Sequence, residues 1–297
     1  MIKKECFTAE WIEQVSSELH YNDKNLIEKV IRALSLLEML VKAGCPLVFK
    51  GGTALMLILG KSAHRLSIDI DLICPPGTNI EDYLKSFADF GFINLELVER
   101  KQRDDADIPK SHSKFFYQIA YRNDTDAQSY ILLDVLYEDI HYFRTQQIAI
   151  NCPFIRLEGK PLMVTVPSAE DILGDKLTAF APNTTGIPYY KNGRSCSMEI
   201  AKQLYDVGRL FENVSDLQIT KEAFRKIAVV ELSYRSFGTD IGQVFNDIRQ
   251  TALCISTRGK AGEGDFDLIQ DGIIRVKSFM YKQRYLIDHA IIDAARA

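Results

Sequence analysis

The sequence predicts an α+β protein in which an α/β domain over residues 1–167 is followed by a helical domain over residues 168–297. Three observations carry that prediction. Short β-branched and aromatic runs alternate with helical stretches as far as Val166. From Met198 onward apolar residues recur almost throughout at helical spacing, with no strand-like run and no internal repeat. At the join, Ser168-Ala-Glu-Asp171 reads as a capping sequence that opens a helix.

Composition narrows the class. The 297 residues are 46% hydrophobic and 26% charged, as in globular proteins, and suffice for one large or two modest domains. A net charge of −4 argues against indiscriminate binding to polyanions while leaving room for a local basic patch. The opening MIKKECFTAEWIEQ lacks the apolar core of a signal peptide, and no apolar run approaches the ~20 residues that span a bilayer, so a cytoplasmic protein with no membrane association is expected. The six cysteines show no close spacing, so neither a zinc motif nor a redox motif is indicated, and reduced, mostly buried thiols are expected.

Taken in order, Thr8 to His20 and Leu26 to Ala43 read as helices, the second stopped by Gly44. Glu28-Lys29 reads as a solvated pair on its surface. Glu81 to Phe90 reads as a helix and Ile93 to Glu99 as a strand, and 101–110 is a charged loop. Phe115 to Tyr121 and Ser129 to Tyr137 read as a hairpin through the turn-rich segment 122–126, and β-like runs follow at Ile148 to Ile150 and Leu162 to Val166. The helix after Ser168 ends near Pro182, and Asn183 to Ser197 reads as a mobile loop. Helices are then expected over Met198 to Phe211, Lys221 to Tyr234, Asp240 to Cys254 and Asp265 to Ala290, with 258–264 as a flexible connection.

The chemistry is concentrated between Pro46 and Pro75. Pro46 to Lys50 is a short strand broken by Gly51-Gly52, and Thr53 starts a helix. A strand over Arg65 to Leu72 would place Arg65, Ser67, Asp69 and Asp71 on one face. Adjacent like charges repel, and a divalent cation is the usual compensation. The glycine turn at a helix start offers backbone N–H groups and the positive helix end, a place for phosphate. Asp134, inside the apolar run YILLDVLY, is costly without a partner; a cation, a lysine or solvent would each answer it.

In this order, the Gly-Gly-Thr turn and the Asp-x-Asp strand resemble motif one of the DNA polymerase β-like nucleotidyltransferases, and still more closely the AbiEii/AbiGii-type toxin family. The matching residues are Leu47 to Lys50, Gly51 to Leu55, Arg65 to Asp71 and the helix bearing Asp175-Lys176-Leu177; nothing is recognised after about Phe211. The resemblance implies a polymerase β-like core with a mixed sheet and a helical domain that completes the cleft. It implies that Asp69, Asp71 and Asp134 hold two Mg²⁺ ions, or Mn²⁺, on an NTP. Gly51, Gly52, Thr53, Arg65 and Ser67 would line the nucleotide, and Lys176 would offset phosphate charge with Asp206 orienting it. Asp134 would also help deprotonate the acceptor.

The outcome implied is NMP transfer to a hydroxyl acceptor, an RNA such as a tRNA 3′ end, by the toxin of a toxin–antitoxin pair with a separate antitoxin protein. The sequence departs from the family where Asn183 stands in place of a helix arginine, a role left to Arg194, and where Lys202 and Asp206 alone survive of a basic-Asp-x-x-Asp pattern. Lys202, Asp206 and Arg209 share one helix face, which is also what a salt-bridged surface stripe looks like. Transfer to a small molecule such as an antibiotic, and a non-catalytic nucleotide-binding module, remain the alternatives. The five histidines are dispersed and mark no site.

Overall fold

In the computed structural model, which describes residues 1–98, 110–121, 127–235 and 240–297, the first two α-helices start at side-chain caps. The Thr8 side chain accepts from the Trp11 N–H and opens α1 (Ala9–Leu19), and Asp23 accepts from Leu26 N–H and opens α2 (Lys24–Lys42). The described residues form two compact units. The first comprises residues 1–98, 110–121, 127–140 and 145–167; the second comprises 141–144, 168–235 and 240–297.

In the first unit α2 is buried along almost its whole length, from Leu26 to Leu40, because it packs against α1 and against a five-stranded sheet. That sheet contains β1 (Val48–Lys50), β2 (Ile70–Cys74), β3 (Asn94–Val98), β4 (Lys110–Gln118) and β5 (Gln128–Tyr137) in the order β1-β2-β5-β4-β3. Only β2 and β5 run parallel, so the sheet is mixed, as the family resemblance implies. The helix α3 (Gly51–Leu59) follows β1 directly, and a separate pair, β6 (Thr145–Ala149) with β7 (Met163–Pro167), lies with β7 against β1.

Four sequence readings change in this unit. Glu81 to Phe90 forms two 3₁₀ turns, Ile80–Tyr83 and Phe87–Phe90, which bring Ile80, Leu84 and Phe90 into the core. The strand expected from Arg65 begins its pairing only at Ile70. The strand expected from Phe115 starts at Lys110, because the polar run Ser111-His112-Ser113 lacks the apolar alternation of a strand yet pairs in full with β5. Glu28 is not solvated. It is 1% exposed, accepts the Ala120 N–H at 3.1 Å and pairs with buried Arg32 at 3.3 Å; Arg32 stacks over the Phe7 and Tyr117 rings. Burial pushes the Glu28 carboxyl up, against the pull of Arg32, and pushes Arg32 down. The loop at 101–109 and the turn at 122–126 lie outside the described residues.

The cysteines are free thiols, and one pair meets in space: Cys45 before β1 and Cys74 at the end of β2 are both buried and share a side-chain hydrogen bond that holds Cys45 up and Cys74 down.

The second unit is built on α4 (Ala169–Ala179), α5 (Ser197–Phe211), α6 (Leu217–Ser233), α7 (Ile241–Ser256), α8 (Phe266–Val276) and α9 (Ile287–Arg296). Ser168 caps α4 by accepting from Asp171 N–H, and Asp171 in turn accepts from Phe143 and Arg144 N–H, fastening the 141–144 segment. Phe180, Leu204, Ile248, Ile269 and Ile273 lie in one hydrophobic core, each fully buried aliphatic or aromatic side chain contributing about 1.5–3 kcal/mol.

Two readings change here as well. Residues 183–197 are tied down: Asn183 and Thr184 donate to Asp247, and the short strands Tyr190–Lys191 and Arg194–Ser195 pair. The long helix expected over Asp265 to Ala290 breaks after Val276, because Met280, Tyr281 and Tyr285 turn into the core and Lys282 takes a left-handed φ of 64°. The helix α9 is held to α5 where Gly208 leaves room for Asp293, which accepts from Arg209 at 2.9 Å and Arg296 at 3.2 Å.

Candidate active site

The turn between β1 and α3 depends on its glycines for two reasons. Gly51 has a φ of +78°, which side chains with a Cβ rarely adopt, and a Cβ there would run into the Asp71 carboxylate. At Gly52 an added Cβ would lie 2.6 Å from Ser67 Oγ and 2.8 Å from the Arg65 guanidinium. Asp71, Ser67 and Arg65 therefore pack directly onto the first turn of α3, the end of that helix where backbone N–H groups are unpaired within the helix. Thr53 is fully buried and its hydroxyl donates to the Asp69 carbonyl at 2.7 Å. Its side chain thereby fastens the segment that delivers Asp69 to the start of β2.

The sheet register then lines up four side chains from four strands. Lys50 on β1 is opposite Asp71 on β2, Asp71 is opposite Asp134 on β5, and Asp134 is opposite His112 on β4. Directly opposed residues point to the same face. Two carboxylates are thus neighbours, flanked by a lysine and a histidine. The flanking strand residues Ile70, Leu72, Leu133 and Val135 face the core, while Asp71 and Asp134 are half-buried and Asp69 is exposed. The partner that the sequence left open for Asp134 is His112, with Nδ1 and Oδ1 2.5 Å apart.

Among the described residues no three Asp, Glu, His or Cys side chains stand together as a ready metal-binding group. Asp71 and Asp134 are register partners on one sheet face, with Asp69 exposed two residues upstream, and carboxylate oxygens are the donors that hard divalent cations take.

The second unit treats its acidic and basic residues differently. Lys176 is 7% exposed and its ammonium donates to Asp206 Oδ2 and to Gln203 Oε1, each at 2.9 Å. Asp206 is 1% exposed, so the stripe of Lys202, Asp206 and Arg209 is not a solvated one: Lys202 lies over the Phe279 ring and Arg209 reaches Asp293. Asp175, next to Lys176, accepts from the Tyr142 hydroxyl at 3.0 Å. Arg194 is exposed on its short strand.

The sequence profile described as "Nucleotidyl transferase AbiEii toxin, Type IV TA system" matches residues 33–278, most of the chain. The chain belongs to the AbiEii nucleotidyltransferase toxin family. Its AbiEii fold is similar to that of MenT4, a nucleotidyltransferase toxin from Mycobacterium tuberculosis, at 14% identity and a TM-score of 0.57, covering 96% of this chain and 87% of that one. JHP933 from Helicobacter pylori aligns at 14% identity and a TM-score of 0.45, covering 100% of this chain and 91% of that one. A search of curated proteins finds no match. Among the described residues no helix of this AbiEii protein is long and apolar enough to cross a membrane.

Sequence reasoning found the two motifs and missed His112 and the role of Lys50 as a cross-strand neighbour. A turn centred at residue 124 would set His112 opposite Leu136, two positions from its true partner, so the sequence offered no usable signal for that contact.

Proposed function

We propose that this AbiEii nucleotidyltransferase transfers NMP from an NTP to a hydroxyl of an RNA acceptor, a tRNA 3′ end, and that its toxicity is held in check by a separate antitoxin protein. The observation that carries the proposal is the pair Asp71 and Asp134, opposite each other on one sheet face, with Asp71 packed on the Gly51 turn. Asp69, Asp71 and Asp134 would hold Mg²⁺, which when bound supplies charge stabilisation at the phosphoryl group under transfer. The chain's own residues do the rest. Gly51 and Gly52 seat Asp71, Ser67 and Arg65 against the first turn of α3, whose backbone N–H groups would cradle the triphosphate. Arg65, against Gly52, adds a fixed guanidinium there, and Ser67 a hydroxyl. Asp134 takes up the proton from the acceptor hydroxyl. Lys176, by the family resemblance of its helix, neutralises the departing pyrophosphate, and Asp206 and Gln203 fix its ammonium.

The test is incubation of purified protein with each labelled NTP, total cell RNA and Mg²⁺. Label should enter RNA from one favoured NTP, and chelation should abolish it. Label recovered only in small molecules would overturn the RNA acceptor, and transfer undiminished by chelation would overturn the role given to the carboxylates.

A further inference from the structure

We propose that His112 is a positioning residue for Asp134, holding its carboxylate in the orientation from which it meets a divalent cation and the acceptor. The inference rests on the nucleotidyl-transfer reading of Asp134 and adds a residue that the site motifs do not contain. It starts from register: His112 on β4 is directly opposite Asp134 on β5, and the two side chains meet through Nδ1 and Oδ1 at 2.5 Å. An ionised carboxylate only accepts, so His112 donates from Nδ1 in this bond. The histidine side chain is 11% exposed and the aspartate side chain 37% exposed. The better buried partner therefore fixes the more exposed one. Oδ2 takes no part in the bond.

Lys114, two positions along β4, reaches Glu96 and lies over the Tyr130 ring. An aspartate side chain on a sheet face has several rotamers, and a cation requires its ligand in one of them. A donor that holds one oxygen sets the direction of the other, as partners of metal-ligating side chains commonly do. His112 touches neither substrate nor reacting atoms on this account.

The experiment compares His112→Leu and His112→Asn, the latter because an asparagine amide nitrogen can stand where Nδ1 stands. The first readout is Mn²⁺ binding to nucleotide-free protein, followed by the electron paramagnetic resonance signal of free Mn²⁺. We expect His112→Leu to weaken Mn²⁺ about tenfold or more, the range such outer partners command. His112→Asn should bind close to wild type. Transfer by the Leu variant should recover as Mn²⁺ is raised, leaving the nucleotide KM unchanged. Melting temperatures check folding, and His112→Gln, which mimics Nε2 instead of Nδ1, repeats the loss of contact in a polar side chain.

Wild-type Mn²⁺ affinity in His112→Leu or His112→Gln would overturn the proposal, as would equal weakening in the Leu and Asn variants. Asp71→Asn and Asp134→Asn, measured alongside, separate the two levels. If they too bind Mn²⁺ and transfer nucleotide like wild type, the underlying reading of the site fails; if they lose both while the His112 variants lose neither, only the positioning role does.

Discussion

Two sets of carboxylates, one in each unit, are handled in opposite ways. In the helical unit Asp171, Asp206, Asp247 and Asp293 are each at most 6% exposed, and each meets named partners: backbone N–H groups, a lysine, an asparagine with two threonines, and two arginines. In the sheet unit Asp69 is exposed and Asp71 and Asp134 are half-buried, on a face where the strands turn their apolar residues the other way. A buried charge persists only if it is paired, so the first set fastens one element to another. The second set keeps solvent access beside a helix start, which is the condition for binding something that comes and goes. The lesson is that acid content alone does not mark a site; the acids that the fold leaves reachable do.

Breaking the reachable set should give the largest effect on activity and almost none on stability. Asp69→Asn or Asp71→Asn is expected to lower transfer by about a thousandfold or more, the several kcal/mol that a bound cation contributes at the phosphoryl group. The melting temperature should hold or rise slightly, because the change relieves carboxylate repulsion. Wild-type transfer by either variant would erase the contrast between the units.

The buried set should respond the other way. Lys176→Ala strands the Asp206 carboxylate and should cost about 3–5 kcal/mol of unfolding free energy, measured in urea. By its family resemblance Lys176 also serves the nucleotide, so NTP-Mg²⁺ affinity should fall, with Lys176→Arg keeping part of it. If the folded Ala variant bound nucleotide normally and showed only a raised acceptor KM, the phosphate role would pass to Arg194 or Lys191.

Gly51→Ala joins the two kinds of effect. The left-handed φ and the contact with Asp71 together should cost about 1–3 kcal/mol of stability, and transfer should fall because Asp71 is pushed off the turn. A stable, fully active alanine variant would show that Asp71 does not need that seat.

The smallest expected effect concerns Glu28, which like Glu38 is a buried acid of the sheet unit and behaves like those of the helical unit. Its folded pKa lies above its ordinary value of 4.5 because burial outweighs Arg32. As pH rises from 4.5 through the folded value, the unfolded chain gives up its proton first, so the contribution of Glu28 to stability declines across that window. Glu28→Gln should flatten this decline in urea unfolding, and an unchanged slope would exclude Glu28 as its source.

What the sequence determined by itself is local. Capping at Ser168, the glycine turn before α3, the Asp69-Ile-Asp71 spacing and the helical periodicity after Met198 are written in neighbouring residues, because each depends on backbone conformations and dipoles within one or two turns. Pairing across distance is different. Glu28 reads as solvated until Ala120 and Arg32 are folded around it, and between the two sequence readings of Asp206, a surface stripe or a partner of Lys176, only the ion pair from another helix decides. The segment at 280–286 reads as helix until its aromatic residues find the core. His112 is the sharpest case. Its neighbours carry no strand pattern, and a shift of two residues in hairpin register would move it from Asp134 to Leu136; only the packed sheet, which fixes that register, decides that a histidine stands beside the third carboxylate.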